Sequence, residues 1–176
     1  MQNIKYFWNS IAIISCTLLI LFISTSKVSA QYQGTPVGSW SAFFSYYQPT
    51  DIASDGNIIF CGTKSGFFTY NKAEGNLEAF STTKGMSDAG VNAVSYDYNS
   101  DACILGYSNG NIDIFKDNKF YNIPDLKNTQ SSGNKTVYSA ISRQGIAYLS
   151  TGFGIMLIDL KKNEIRNTIA FYDAGL

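Results

Sequence analysis

Three glycines, Gly66, Gly110 and Gly154, stand 44 residues apart, and each falls between two short apolar runs. Before them lie Asn57–Cys61, Ala102–Leu105 and Ile146–Leu149. After them lie Phe67–Tyr70, Asn111–Phe115 and Ile155–Ile158. Two apolar runs joined by a short glycine-bearing loop make a β-hairpin. The recurring glycine is expected to occupy a backbone position with positive φ, where a Cβ would clash. Each hairpin is flanked by two more strand-like segments. Asp51–Ser54, Val91–Tyr96 and Val137–Ser142 precede the hairpins, and Leu77–Phe80, Phe120–Ile123 and Ile165–Ile169 follow them.

Four short strands every 40–45 residues is the period of a β-propeller blade. Each blade is a small twisted sheet with both faces covered by neighbours, which accounts for the near-continuous apolar central runs. The expected fold is therefore an all-β propeller with about three blades and an incomplete ring. A leader spans 1–30 and a closing-strand region 31–50. Blade 1 spans 51–90, blade 2 spans 91–136, and 137–176 holds blade 3 and the start of a fourth. Asp173-Ala174-Gly175-Leu176 repeats Asp88-Ala89-Gly90-Val91, so the chain reads as a fragment or truncated product. Gly38–Phe44 reads as an outer strand that would complete the last, absent blade.

Aromatic and charged residues each make up 15 % of the chain. This is rich in strand formers and poor in charge. The formal net charge is zero and no Lys/Arg block occurs, so nucleic-acid binding has no electrostatic support. The chain has no histidine. A Ser-His-Asp triad, a Cys-His pair, a His-ligated metal and a phospho-accepting histidine are all excluded within it. Cys61 and Cys103 lie at odd offsets from their glycines, so both point to the same face of their own blades. Stacked blades meet through opposite faces, so the two are expected to be buried free thiols.

Residues 1–30 read as a secretory signal peptide. Lys5 supplies the positive start, Ile11 to Ile23 the apolar run, and Val28-Ser29-Ala30 the small-residue cleavage pattern before Gln31. The run is short for a bilayer span of about 20 residues. It continues past Cys16, which argues against acylation there. Cleavage between Ala30 and Gln31 removes Lys5 and Lys27 and leaves a mildly acidic exported domain.

Gly62–Tyr70, followed by Lys84–Asp88 and Val91–Val94, resembles the two-component-regulator type of propeller repeat. Val37–Trp40, Tyr107–Asp113, Tyr121–Asp125 and Tyr148–Ile155 are, taken in order, similar to the family of N-terminal propellers of PorZ. That family belongs to the type IX (Por) secretion system of Bacteroidetes, whose exported proteins also resemble this chain in carrying Gln after the cut. The resemblance implies an outer-membrane or cell-surface accessory protein. Its implied partners are other type IX components, and anionic lipopolysaccharide bound through the full-length protein. It carries no binding residue over to this chain.

Asp97-Tyr98-Asn99-Ser100-Asp101 has the start of a calcium loop, but Ala102 and Ser108 stand where glycine and a bidentate glutamate are required. It reads as a hairpin turn. Phe67, Phe68, Tyr70, Phe115 and Phe153 read as inter-blade packing. Pro124–Thr136 is the long polar loop, and long loops in compact domains are often functional. Asn128, Thr129, Gln130, Ser131, Ser132 and Gly133 at its centre are the candidate partner contacts, with a bare connector as the alternative. No catalytic, metal or cofactor residue is assigned. The expectation is a non-catalytic binding and scaffolding propeller in the periplasm, outer membrane or cell surface of a Gram-negative bacterium. The alternative is the periplasmic sensor propeller of a hybrid two-component regulator.

Overall fold

The computed structural model describes residues 47–130 and 133–170. The leader with Ala30 and Gln31, the Gly38–Phe44 strand and the terminal Asp173–Leu176 repeat lie outside the described residues. Within them, twelve strands form three four-stranded antiparallel sheets, each in simple sequential order. The first sheet holds β1 (Pro49–Ser54), β2 (Ile58–Thr63), β3 (Phe67–Asn71) and β4 (Asn76–Phe80). The second holds β5 (Val91–Asp97), β6 (Ala102–Tyr107), β7 (Ile112–Lys116) and β8 (Lys119–Ile123). The third holds β9 (Val137–Arg143), β10 (Ile146–Thr151), β11 (Gly154–Asp159) and β12 (Glu164–Ala170). Tight turns set the registers. Asp117 and Asn118 have φ of 50° and 58° between the paired Lys116 and Lys119, the left-handed pair that a two-residue hairpin favours.

The sheets stack like blades, with β1 against β5 and β5 against β9. Strand alternation sends neighbouring side chains to opposite faces, and the second sheet buries both. Cys103, Leu105, Tyr107 and Phe115 face Phe60, Phe67 and Phe80 of the first sheet. Ala102, Ile104, Ile112 and Ile114 face Val137, Ala147, Leu149, Met156 and Ile158 of the third. Aromatic rings dominate the first interface. Phe80 meets Phe115 edge-on with centroids 5.0 Å apart, and Phe67 meets Phe115 at 5.3 Å, the geometry that ring quadrupoles favour. The second interface is aliphatic.

Cys61 and Cys103 are free and buried. Cys103 lies in the interface between the first two sheets. Cys61 neighbours Phe60 and so points to the other face of its own sheet. The two thiols do not meet.

The repeat glycines correct one expectation. Gly110 has φ of 84° and Gly154 of 149°, whereas Gly66 does not have positive φ. A Cβ on Gly66 would lie 2.7 Å from the Phe80 carbonyl oxygen, and one on Gly154 would collide with the Ile169 carbonyl. At both positions the outer strand's backbone fills the space of a side chain. A second pair at the same spacing, Gly62 and Gly106, locks the blades together. Val91 Cγ1 would be 2.7 Å from a Cβ at Gly62, and Val137 Cγ1 overlaps the same point at Gly106. The first residue of each next sheet thus seats in a glycine hole.

Candidate functional site

The described residues of the Pro124–Thr136 segment form a helical turn and an anchored return. Pro124 leads into a one-turn helix, α1 (Asp125–Asn128), as the fixed φ of proline at a helix start permits. Leu126, 5 % exposed, is its apolar anchor in the core between the second and third sheets. Thr129 closes the turn through its amide and its hydroxyl, both donating to the Asp125 carbonyl. Lys135 folds back and donates its ammonium to the carbonyls of Lys127, at 2.8 Å, and Thr129. Those are the orphan acceptors that a helix end leaves.

Farther on, the segment is pinned to the hairpin loops that carry the repeat glycines. Thr136 Oγ1 donates to the Ser108 carbonyl at 2.9 Å, and the Gly152 amide donates to the Thr136 carbonyl at 3.2 Å. Gly110 has Lys135 Cβ and Leu126 Cγ at 2.8 and 3.0 Å from where its own Cβ would sit. Asn134 lies against Gly152 in the same way and donates its side-chain amide to the Tyr138 hydroxyl at 2.6 Å.

On the side of the first sheet, Lys127 and Asp88 form a 2.7 Å ion pair. Asp88 also accepts from the Asn111 amide at 2.7 Å. Burial works to raise the Asp88 pKa, and the bonds from Lys127, Asn109 and Asn111 outweigh it and lower it. Beneath lies a buried polar chain. The Tyr107 hydroxyl donates to Asp113 at 2.6 Å, and Asp113 also accepts from the Ser87 amide and from Asn122. Burial, then the Asp113 charge, push the Tyr107 phenol far up, so it stays a donor. The sequence reading missed this chain. Its signal was Asp113 alone inside the apolar run Ile112–Phe115.

A cleft of about 370 Å³ opens beside the segment. Leu126, Phe153, Met156 and Ile165 form its apolar wall, and Thr129 and Lys135 stand among its polar residues. Of the candidate contact residues, Asn128 ends α1, Thr129 caps it and Gly133 lines the cleft. Gln130 is exposed. Ser131 and Ser132 lie outside the described residues. Phe153 lines this cleft and packs against the core, while Phe67 and Phe115 pack between the first two sheets. Asp97 ends β5, and residues 98–101 form the β5–β6 turn. Among the described residues, no group of three or more His, Cys, Asp or Glu side chains is placed to hold a metal ion, and no helix is long and apolar enough to cross a membrane.

Comparison with known proteins follows the same lines. Residues 59–174 match the family model described as the PorZ N-terminal beta-propeller domain of the type IX secretion system. Among solved structures, the chain is similar to PorZ of Porphyromonas gingivalis, described as an essential bacterial surface component of the type IX secretion system. The TM-score is 0.69 at 23 % identity, covering 74 % of this chain and 18 % of that one. It is also similar to the extracellular domain of a putative hybrid two component system from B. thetaiotaomicron, with TM-score 0.60 at 19 % identity and coverage of 76 % and 18 %. The WD40 repeats of RRP9 share the fold at TM-score 0.60 and 13 % identity, over 73 % and 40 %. No curated protein matches the chain. The chain therefore spans under a fifth of the length of the first two solved structures.

Proposed function

Because the chain belongs to the family of PorZ N-terminal β-propeller domains, we propose that it is a binding and scaffolding part of the type IX secretion and cell-surface attachment machinery. The family match, which runs through all three sheets, carries this reading. The interiors support it. Phe67, Phe80 and Phe115 pack between the sheets, and Tyr107, Asp113 and Asn122 hydrogen-bond to one another inside the fold. The protein works by holding surfaces in place, at the outer membrane or cell surface. The match also favours secretion over the sensor alternative, whose structural neighbour is similar at lower identity and TM-score.

The surface we assign to partner contact is the α1 segment with Asn128 to Gly133 and its neighbouring cleft. Leu126 and Lys135 anchor the described part of the segment, and the apolar wall of the cleft accepts a side chain of a partner protein. Direct capture of anionic lipopolysaccharide here has weaker support, since Lys127 is paired and Lys135 is spent on backbone carbonyls. The resemblance implies that ligand through the full-length protein. The test is affinity purification of the full-length tagged protein from a type IX-secreting strain, quantified against an untagged strain. Co-purification of type IX components, reduced when 128–133 is replaced by a Gly/Ser linker, is the expected result. Absence of every type IX component overturns the role, and recovery unchanged by the replacement overturns the assigned surface.

A further inference from the structure

The other end of the sheets carries a second cleft with different chemistry. Ile58 pairs with Asn71, and Cys103 with Phe115, so the β1–β2, β3–β4, β5–β6 and β7–β8 turns gather at the end away from α1. Between the first and second sheets they enclose a cleft of about 350 Å³, within the roughly 300–1,000 Å³ range of ligand clefts. Its floor is apolar. Phe60 and Phe115 are 5 % and 8 % exposed, with Ile58 and Tyr96 beside them.

Its remaining lining is polar. Asp55, Glu74, Glu78, Asp101 and Asp117 come from four turns and one outer strand, against the single cation Lys116. None takes part in the two ion pairs among the described residues, Lys127–Asp88 and Lys162–Glu164. Asp55 uses Oδ1 on the amides of Asn57 and Ile58, and Asp101 uses Oδ1 on the Tyr96 hydroxyl. The carboxylates are spread around the cleft, and no three are placed to share a metal ion. An extended organic cation fits this arrangement, with an apolar stem for the floor and a charged head for the rim.

We propose that the cleft between the first two sheets binds lysine and arginine side chains of a partner polypeptide. A lysine or arginine stem covers apolar surface while its head stays at the polar edge, and guanidinium or ammonium groups pair strongly with carboxylates. Asn71, Asn76 and Asn118 line the same cleft and supply amides for the partner's backbone. Complementary charge sets specificity and speeds encounter. An anionic glycan meets repulsion at this end. The site is separate from the α1 segment and stands or falls without it.

The test is fluorescence anisotropy of the full chain with a labelled hexapeptide of alternating lysine and arginine, against a glutamine/serine hexapeptide. Saturable binding is expected for the basic peptide alone, weakened several-fold between ~50 and ~300 mM salt as surface charges are screened. The triple variant Glu74→Gln, Glu78→Gln, Asp117→Asn, all exposed positions, is expected to lose about ten-fold in affinity. Glu164→Gln on the third sheet keeps it. If the triple variant does not fold, Glu78→Lys alone serves, with the same expected loss. Equal binding of both peptides, no saturable binding of the basic one, or wild-type affinity in a folded variant would each overturn the proposal.

Discussion

The buried carboxylate of Asp97 in the second sheet accepts the backbone N–H of Gly145 in the third, at 3.0 Å. The same oxygen takes the Ser100 amide at 2.9 Å and its hydroxyl at 2.6 Å. One side chain therefore closes its own hairpin turn and ties it to the next blade's turn.

Replacing Asp97 by alanine leaves the Gly145 and Ser100 amides without their acceptor. The expected loss is about 2–3 kcal/mol, the cost of stranding buried donors, read from urea unfolding. Burial works to raise the Asp97 pKa, and the hydrogen bonds from Ser100 and the Gly145 amide lower it overall. The folded pKa lies below the unfolded value of about 4. The contribution is therefore complete above that value and lost as pH falls through the folded one. Asp97→Asn should remove this acid-side loss, and an unchanged pH profile in the variant would contradict the assignment.

Gly106 has no room for a methyl group, because Val137 occupies the space. Gly106→Ala should cost about 1–3 kcal/mol through overpacking. Trimming the intruder restores space, so Val137→Ala in the same chain should recover part of the loss. A double-mutant cycle with no coupling between the two would show that the hole does not set blade spacing.

The outer face of the third sheet leaves Ile141 at 69 % and Tyr148 at 44 % exposed, side by side in register. Contiguous apolar area of this kind drives association. Residues 31–176 expressed by themselves should sediment as oligomers or precipitate. Ile141→Glu with Tyr148→Glu should shift the material toward monomer. A wild-type chain monomeric at every concentration tested would refute this.

Cys61 and Cys103 are both buried. Burial first, and then the Asp51 charge, raise both thiol pKa values. In a chain expressed from Gln31 on, both should resist a thiol-specific chromogenic reagent at about pH 8, where an exposed cysteine is partly ionised, and react together in denaturant. Rapid reaction of Cys103 in the native protein would mean that the inter-sheet core is looser than described.

Much of the architecture was open to reading from the residues. The strands around Gly66, Gly110 and Gly154 were found because a turn must recur wherever an apolar hairpin recurs. The separation of Cys61 from Cys103 followed from strand alternation alone. The reason for Gly66 was misread, since the close Phe80 carbonyl comes from a strand fourteen residues on. The α1 turn was hidden by polar residues, with Leu126 as its one apolar clue. The clefts were invisible, because Phe60, Glu78 and Asp117 meet only after two sheets stack.

Periodicity by itself determined that this chain makes four-stranded sheets, where the three described repeats fall and which side of each strand is greasy, since those properties depend on residues close in sequence. Tertiary structure decided how the sheets interlock, through Val91 and Val137 in their glycine holes. It also decided where charge gathers at the ends, and which lysines are already engaged. Those features depend on distances between segments such as Gly62 and Val91, 29 residues apart, or Asp88 and Lys127, 39 residues apart, and only the packed chain sets such distances.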